Sequence, residues 1–252
     1  MHSAFKTALY TLLAVICLNT SSFAQQKIVS ERTHTWLQYF LNLKLYKKWS
    51  VHFDGGYRSQ NDFIKNPHQW LVRIGGVHHF NPDTYLTAGM AYFSHFTRNT
   101  SKNYFRSEYR PYMRLTCINK VNRMQIQHRY RGELRNIQKG SKDGKLNDYL
   151  TYVRLGYQIN FQYPLIGDSF GEGVPYLILY DELFVNFGKQ AQNNFDQNRA
   201  CLGLGYGLTK NLTMSIGYQY IYVQRNRDNF ENVHSIRLNF IHNINLKLDE
   251  VE

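Results

Sequence analysis

Residues Tyr149 to Tyr163 read YLTYVRLGYQINFQY, and this alternation decides the fold class. One parity carries Tyr149, Thr151, Val153, Leu155, Tyr157, Ile159, Phe161 and Tyr163. The other carries Arg154, Gly156, Gln158, Asn160 and Gln162, with Leu150 and Tyr152 near its start. Side chains two residues apart share a face of an extended strand, so the segment has one apolar and one polar face. Strands of soluble sandwiches usually run about five or six residues. This one is long enough to cross a bilayer at a tilt, for which about 9–11 residues suffice.

The pattern repeats on both sides. Leu212, Met214, Ile216, Tyr218, Tyr220 and Tyr222 form one such face, and Ile236, Leu238, Phe240, Ile244 and Leu246 another. Near the start, Leu37, Tyr39, Leu41, Leu43 and Leu45 oppose Gln38, Asn42 and Lys44. Eleven segments follow, at 34–46, 49–60, 68–80, 85–97, 104–117, 123–136, 148–163, 175–187, 198–209, 212–225 and 232–247. Short connections such as Lys47-Lys48, Asn81 to Thr84, Asn119 to Asn122 and Lys210-Asn211 alternate with longer polar ones, as in outer-membrane barrels; Pro164 to Pro175 is long where a short turn is due. The prediction is an all-β fold: a single transmembrane, antiparallel, up-and-down β-barrel of about 10–12 strands. Eleven is an odd number, whereas single-chain bacterial barrels are normally even. Either Lys27 to Arg32 contributes to a further strand or one segment is split or false. Pro111 lies inside a segment and removes a ladder hydrogen bond, so a bulge is expected there.

The first residues read as an address. Lys6 precedes an apolar run from Ala8 to Leu18, and Ser22-Phe23-Ala24 offers small residues for cleavage. The expected domains are a cleaved secretory signal at 1–24 and an outer-membrane barrel at 25–252, with Gln25 as the mature N-terminus. Cys17 raises a lipoprotein anchor, but Ile16 stands where a small residue is required, which disfavours it. The mean hydropathy is negative, which does not exclude a barrel, whose apolar residues alternate with polar ones. The 20 Tyr and 16 Phe include residues that close the apolar faces, as suits a lipid–water boundary.

Thirty Lys and Arg against 18 Asp and Glu make the chain basic. The arginines alternate within strands rather than forming a tail or helical stripe, so nucleic acid is not an expected partner. Cys117 and Cys201 fall near opposite ends of the expected barrel and form neither a disulfide nor a metal site.

Two segments concentrate charge on one parity. The first carries Arg106, Glu108, Arg110 and Arg114; the second carries Gln125, Gln127, Arg129, Arg131, Glu133 and Arg135. A short turn at Lys120-Val121 brings these faces together, with Arg154 and Glu182 on the same polar surface. This surface must be the lumen, because a charge facing lipid near the midplane costs about 2–4 kcal/mol. The plainer reading is a plug of paired charges in a narrow interior. The sharper reading is a surface selecting anions, with guanidinium as the planar donor.

The Lys47-Lys48-Trp49 turn after the Trp36 segment, SEYRPY at 107–112, HRYRGELR at 128–135, YDELFVNF at 180–187 and NRACLGLGYGLTKNLTMSIGYQY at 198–220 carry a resemblance. Together with the signal they resemble the bacterial outer-membrane family called domain of unknown function 2490, over nearly the whole mature chain. The resemblance implies a barrel in the outer membrane and no established activity.

An outer-membrane lipid-acting hydrolase is the rival class. Such barrels pair a serine with a histidine on one strand face. The mature chain has no His-x-Ser; His234-Ser235 and His78-His79 diverge, and His95 with Thr97 is a poor substitute. A third reading is a soluble periplasmic barrel carrying a ligand. No catalytic residue, metal site or cofactor is expected. The expected partners are outer-membrane lipid and the barrel-assembly machinery during insertion; the ligand is left open.

Overall fold

The computed structural model describes residues 28–61, 63–98, 103–141 and 144–246. The proposed signal at 1–24, Cys17 and Gln25 lie outside them. Every regular element among the described residues is a strand: β1 (Ile28–Tyr46), β2 (Trp49–Gln60), β3 (Pro67–Asn81), β4 (Thr84–Thr97), β5 (Tyr104–Val121), β6 (Met124–Ser141), β7 (Gly144–Pro164), β8 (Pro175–Phe187), β9 (Phe195–Gly207), β10 (Leu212–Gln224) and β11 (Asn229–Asn245). Each pairs with its neighbour in sequence, and β1 pairs with β11 to close the barrel.

The closure corrects the expectation of a wholly antiparallel barrel. β1 and β11 run parallel, in one unbroken register from Ile28↔Asn229 to Lys44↔Asn245. Eleven strands that alternate in direction leave the first and last pointing the same way, so closure must be parallel. Residues 28–32 continue β1 rather than adding a strand, which keeps the number odd.

Two further expectations change. The register around Pro111 is the same on both sides, with Tyr109↔Asn136 and Tyr112↔Glu133, so no bulge forms. Instead the β5–β6 ladder skips Arg110 and Pro111, while Pro111 stays aligned with Met90 of β4. The expected long loop after the sixth segment is an extension of the hairpin itself. β6 and β7 pair as far as Ser141↔Gly144, whereas β7 pairs with β8 only from Val153 and β5 with β6 only as far as Ile137. The described part of the hairpin therefore outruns its ladders with β5 and β8, although Tyr104 Oη of β5 still donates to the Ser141 carbonyl at 3.0 Å.

Parity sets the two faces. Trp70, Val72 and Ile74 of β3, Met90 and Tyr92 of β4, and Leu202 and Leu204 of β9 are exposed on the outside. Aromatic rings pair on this face toward both ends of the wall. Trp49 meets His78 at 4.7 Å near the short turns, and Tyr57 meets Trp70 at 4.9 Å near the longer connections. Asp181 interrupts the apolar exterior midway along β8, where its carboxylate accepts from Asn198 Nδ2 at 2.9 Å. Inside, two apolar clusters are buried, Trp36 with Ile221, Val223 and Val233, and Leu71 with Ala91, Phe93 and Tyr112, and Val77, Tyr176, Tyr180, Phe184, Cys201 and Phe230 are buried outside them. Glycine makes room for large interior rings. A Cβ at Gly205 would lie 2.1 Å from the Tyr176 ring, and one at Gly156 would lie 2.6 Å from the Phe184 ring.

Candidate functional site: an arginine-lined lumen

The sequence-predicted charges converge inside the barrel because neighbouring strands present the same parity to the lumen. The registers Tyr112↔Glu133, Arg114↔Arg131, Glu133↔Arg154 and Gln158↔Glu182 carry that face from β5 to β8. Glu108 is fully buried. It accepts from Arg110 Nε at 2.5 Å, Arg135 Nε at 2.6 Å and His95 Nε2 at 2.6 Å. Arg110 also lies 3.8 Å from Glu133, which bonds Arg154 Nε at 2.8 Å and lies 3.7 Å from Arg131. Glu182 accepts from Arg129 at 2.8 Å and Arg199 at 3.2 Å. Asp196 joins the lattice through Arg154 at 3.0 Å and Arg135 at 3.8 Å. Glu108 and Glu133 are thus neighbours bridged by arginine, as their segments suggested.

Arg106 and Arg114 reach the lumen but not the lattice. They donate to Thr97 at 3.1 Å and Thr87 at 3.4 Å, with no carboxylate within 4 Å among the described residues.

Sequence reasoning missed several participants. Asp54 is fully buried, 2.8 Å from Arg73 and 3.1 Å from His52. Arg58 donates to Gln69 at 2.5 Å, and Arg237 donates to Gln38 at 3.0 Å and to Tyr180. Arg199 and Asp196 complete the missed set, and His95, weighed from sequence only beside Thr97, joins the lattice at Glu108. Their parity is readable along each strand. The arginine-dense pair of segments overshadows isolated charges elsewhere on the inward face.

Among the described residues, two cavities lie in the interior. One of about 260 Å³ lies toward the longer connections and touches His68, His95, Arg106 and Arg225. The other, about 410 Å³, lies toward the short turns and touches His52, His79, Gln162 and Asn243. Both are lined by Phe40, Arg114, Arg129 and Arg237, which form the partition between them. Arg114 and Arg237 have no carboxylate within 4 Å among the described residues, so the partition has a surplus of positive charge.

The histidines with a possible catalytic role are otherwise engaged. His95 holds Glu108, and Thr97 accepts from Arg106. His79 bonds Ser50 at 2.9 Å inside, while His78 packs on Trp49 outside. His234 bonds Tyr218 at 2.6 Å and Glu31 at 3.0 Å on the outer face, whereas Ser235 is buried within. Cys117 and Cys201 are free; they lie on β5 and β9, which are not neighbours. Cys201 sits midway along β9 rather than near an end, which corrects the placement expected from sequence. Among the described residues, no group of three or more His, Cys, Asp or Glu has the geometry to hold a metal ion.

No curated protein and no solved structure matches the chain. A family model described as protein of unknown function DUF2490 matches residues 33–232. With most of its strands inside that match, the chain belongs to the DUF2490 family.

Proposed function

We propose that the protein is an outer-membrane barrel whose lumen is a narrow, anion-selecting passage. The observation that carries this reading is the partition of Phe40, Arg114, Arg129 and Arg237 between two interior cavities. An ion moving from one cavity to the other must pass guanidinium groups, two of them without a carboxylate partner. Such a field favours anions and repels cations. Support for the membrane comes from the inverted distribution of side chains: arginine and glutamate are enclosed, while leucine, isoleucine, valine and methionine cover the outside.

Two measurements test the reading. The mature protein is expected in the outer-membrane fraction and should resist carbonate extraction; recovery in the soluble periplasm would refute the location. In planar bilayers under a salt gradient, the purified protein is expected to pass small anion-selective currents. Arg237→Gln is expected to move the reversal potential toward zero. A second reading, a structural plug, is favoured by the density of pairing around the buried Glu108. It predicts no current in the parent protein and no ion preference in any variant that leaks.

A further inference from the structure

The lumen has two chemically different walls. On β5 to β8 most arginines meet a carboxylate: Arg110 and Arg135 at Glu108, Arg154 at Glu133, and Arg129 at Glu182. The wall made by β9, β10, β11, β1 and β2 carries Asp196, Glu231 and Asp54, but each is held by other cations: Asp196 by Arg154 and Arg135, Glu231 by Arg32 and Arg225, and Asp54 by Arg73 and His52. Arg58 and Arg237 have no carboxylate within 4 Å among the described residues, and Arg199 shares Glu182 with Arg129 and Arg131. Three guanidinium groups surround one buried indole: Arg58 Cζ lies 3.7 Å from the Trp36 ring centroid, Arg199 5.3 Å and Arg237 5.4 Å.

Unpartnered polar atoms gather at the same place. Trp36 Nε1, Arg58 Nε, Arg199 Nε, Arg237 Nε and His34 Nε2 are buried without a hydrogen-bond partner, and all five residues line the loop-side cavity. Trp36 is only 3 % exposed and His34 8 %. The indole and guanidinium nitrogens are obligate donors and cannot satisfy one another. Leaving several such donors unpaired beside clustered positive charge is costly. The unpartnered guanidinium nitrogens of Arg114 and Arg129 lie at the partition and extend the donor-rich surface toward it.

From this wall we infer a binding site for a small multivalent oxyanion, a phosphate or sulfate group either free or on a small monoester. A tetrahedral oxyanion presents several acceptor oxygens in different directions, which suits divergent guanidinium donors. Chloride offers charge without directed acceptors. The cavity of about 260 Å³ admits an ion or a small ester and is too small for a polymer. The site deepens the proposed anion passage and rests on its lumen being accessible from the loop side.

The indole reports on its own site. Of the three tryptophans, Trp49 and Trp70 lie on the outer face. In a Trp49→Phe, Trp70→Phe background in detergent, Trp36 emission would be titrated with inorganic phosphate, inorganic sulfate, glycerol phosphate and chloride at matched ionic strength. A saturable change with phosphate or sulfate, absent with chloride, is expected. A further response to glycerol phosphate would extend the site to monoesters, and silence there would restrict it to the free ion. Arg58→Gln or Arg237→Gln should weaken binding about 10- to 100-fold, the scale of one lost charge-assisted hydrogen bond. Arg123→Gln, outside the site, should leave it unchanged. Heat-modified gel mobility checks folding, and Arg58→Lys replaces Arg58→Gln if the latter fails it. Equal responses to all anions would reduce the effect to screening and overturn the site, as would no response. Anion-selective current without saturable binding would overturn this inference while leaving the passage standing. Binding without current would do the reverse.

Discussion

Replacing Glu108 with alanine tests whether the charge lattice holds the interior together. The substitution removes the acceptor for Arg110 at 2.5 and 2.8 Å, for Arg135 at 2.6 and 3.2 Å, and for His95 at 2.6 Å. Breaking a buried pair by removing one partner costs about 3–5 kcal/mol, chiefly because the remaining charge is uncompensated. Two features reduce the cost. Arg110 keeps Glu133 at 3.8 Å, and Arg135 keeps Asp196 at 3.8 Å. The adjoining cavities could also hydrate an exposed guanidinium. The expected loss is therefore about 2–4 kcal/mol, equivalent to a fall in apparent Tm of roughly 5–15 °C for a chain of this size. The assay is the temperature at which heat-modified gel mobility is lost in detergent, read at one heating rate because such unfolding is kinetically controlled. Lys139→Ala is the control. Lys139 Nζ lies 2.5 Å from Asp148, but the two side chains are 36 % and 63 % exposed. Solvent and salt screen that pair, so its loss should cost about 0–0.5 kcal/mol. Glu108→Ala combined with Arg110→Ala should be less damaging than the two single changes added together, since the double variant leaves one fewer orphan charge. If Glu108→Ala shifts the midpoint no more than Lys139→Ala, the lattice is not a structural element and the reasoning fails.

Other outcomes follow from the same geometry. Gly205→Ala should lower the midpoint by more than Glu108→Ala or prevent assembly, because its Cβ meets the nearly buried Tyr176 ring at 2.1 Å; a variant of parental stability would show that the ring moves freely. Cysteine at Arg227, in the β10–β11 connection, should react with a membrane-impermeant maleimide on intact cells, and cysteine at Lys120, beside the β5–β6 turn, should not; the reverse pattern would invert the orientation. An epitope near Lys142 serves the same purpose, though that residue lies outside the described ones. Arg114→Gln should reduce anion preference in bilayers as Arg237→Gln does, since both arginines line the partition without a carboxylate partner; an unchanged reversal potential would place selectivity elsewhere.

Much of this protein is legible in its local sequence pattern. Alternation has a period of two, and a strand spreads it over two faces whatever its partners are. The eleven strand cores, the inward parity of Glu108, Arg131 and Arg154, and the divergence of His234 from Ser235 all follow from a few consecutive residues. Closure does not. Whether residues 28–32 extend β1 or form another strand depends on β11, about 200 positions away, and the parallel seam exists only because the first and last strands meet. Pro111 shows the same limit: its missing donor is evident from sequence, but the ladder gap without a bulge depends on β4 holding the register. The pairing of charges is more remote still. Arg110 reaches both Glu108 and Glu133, and Arg199 comes beside Trp36, because of the stagger between strands. Sequence determined which side chains face inward; tertiary closure decided which of them touch, and therefore left donors without acceptors around Trp36 and at the partition.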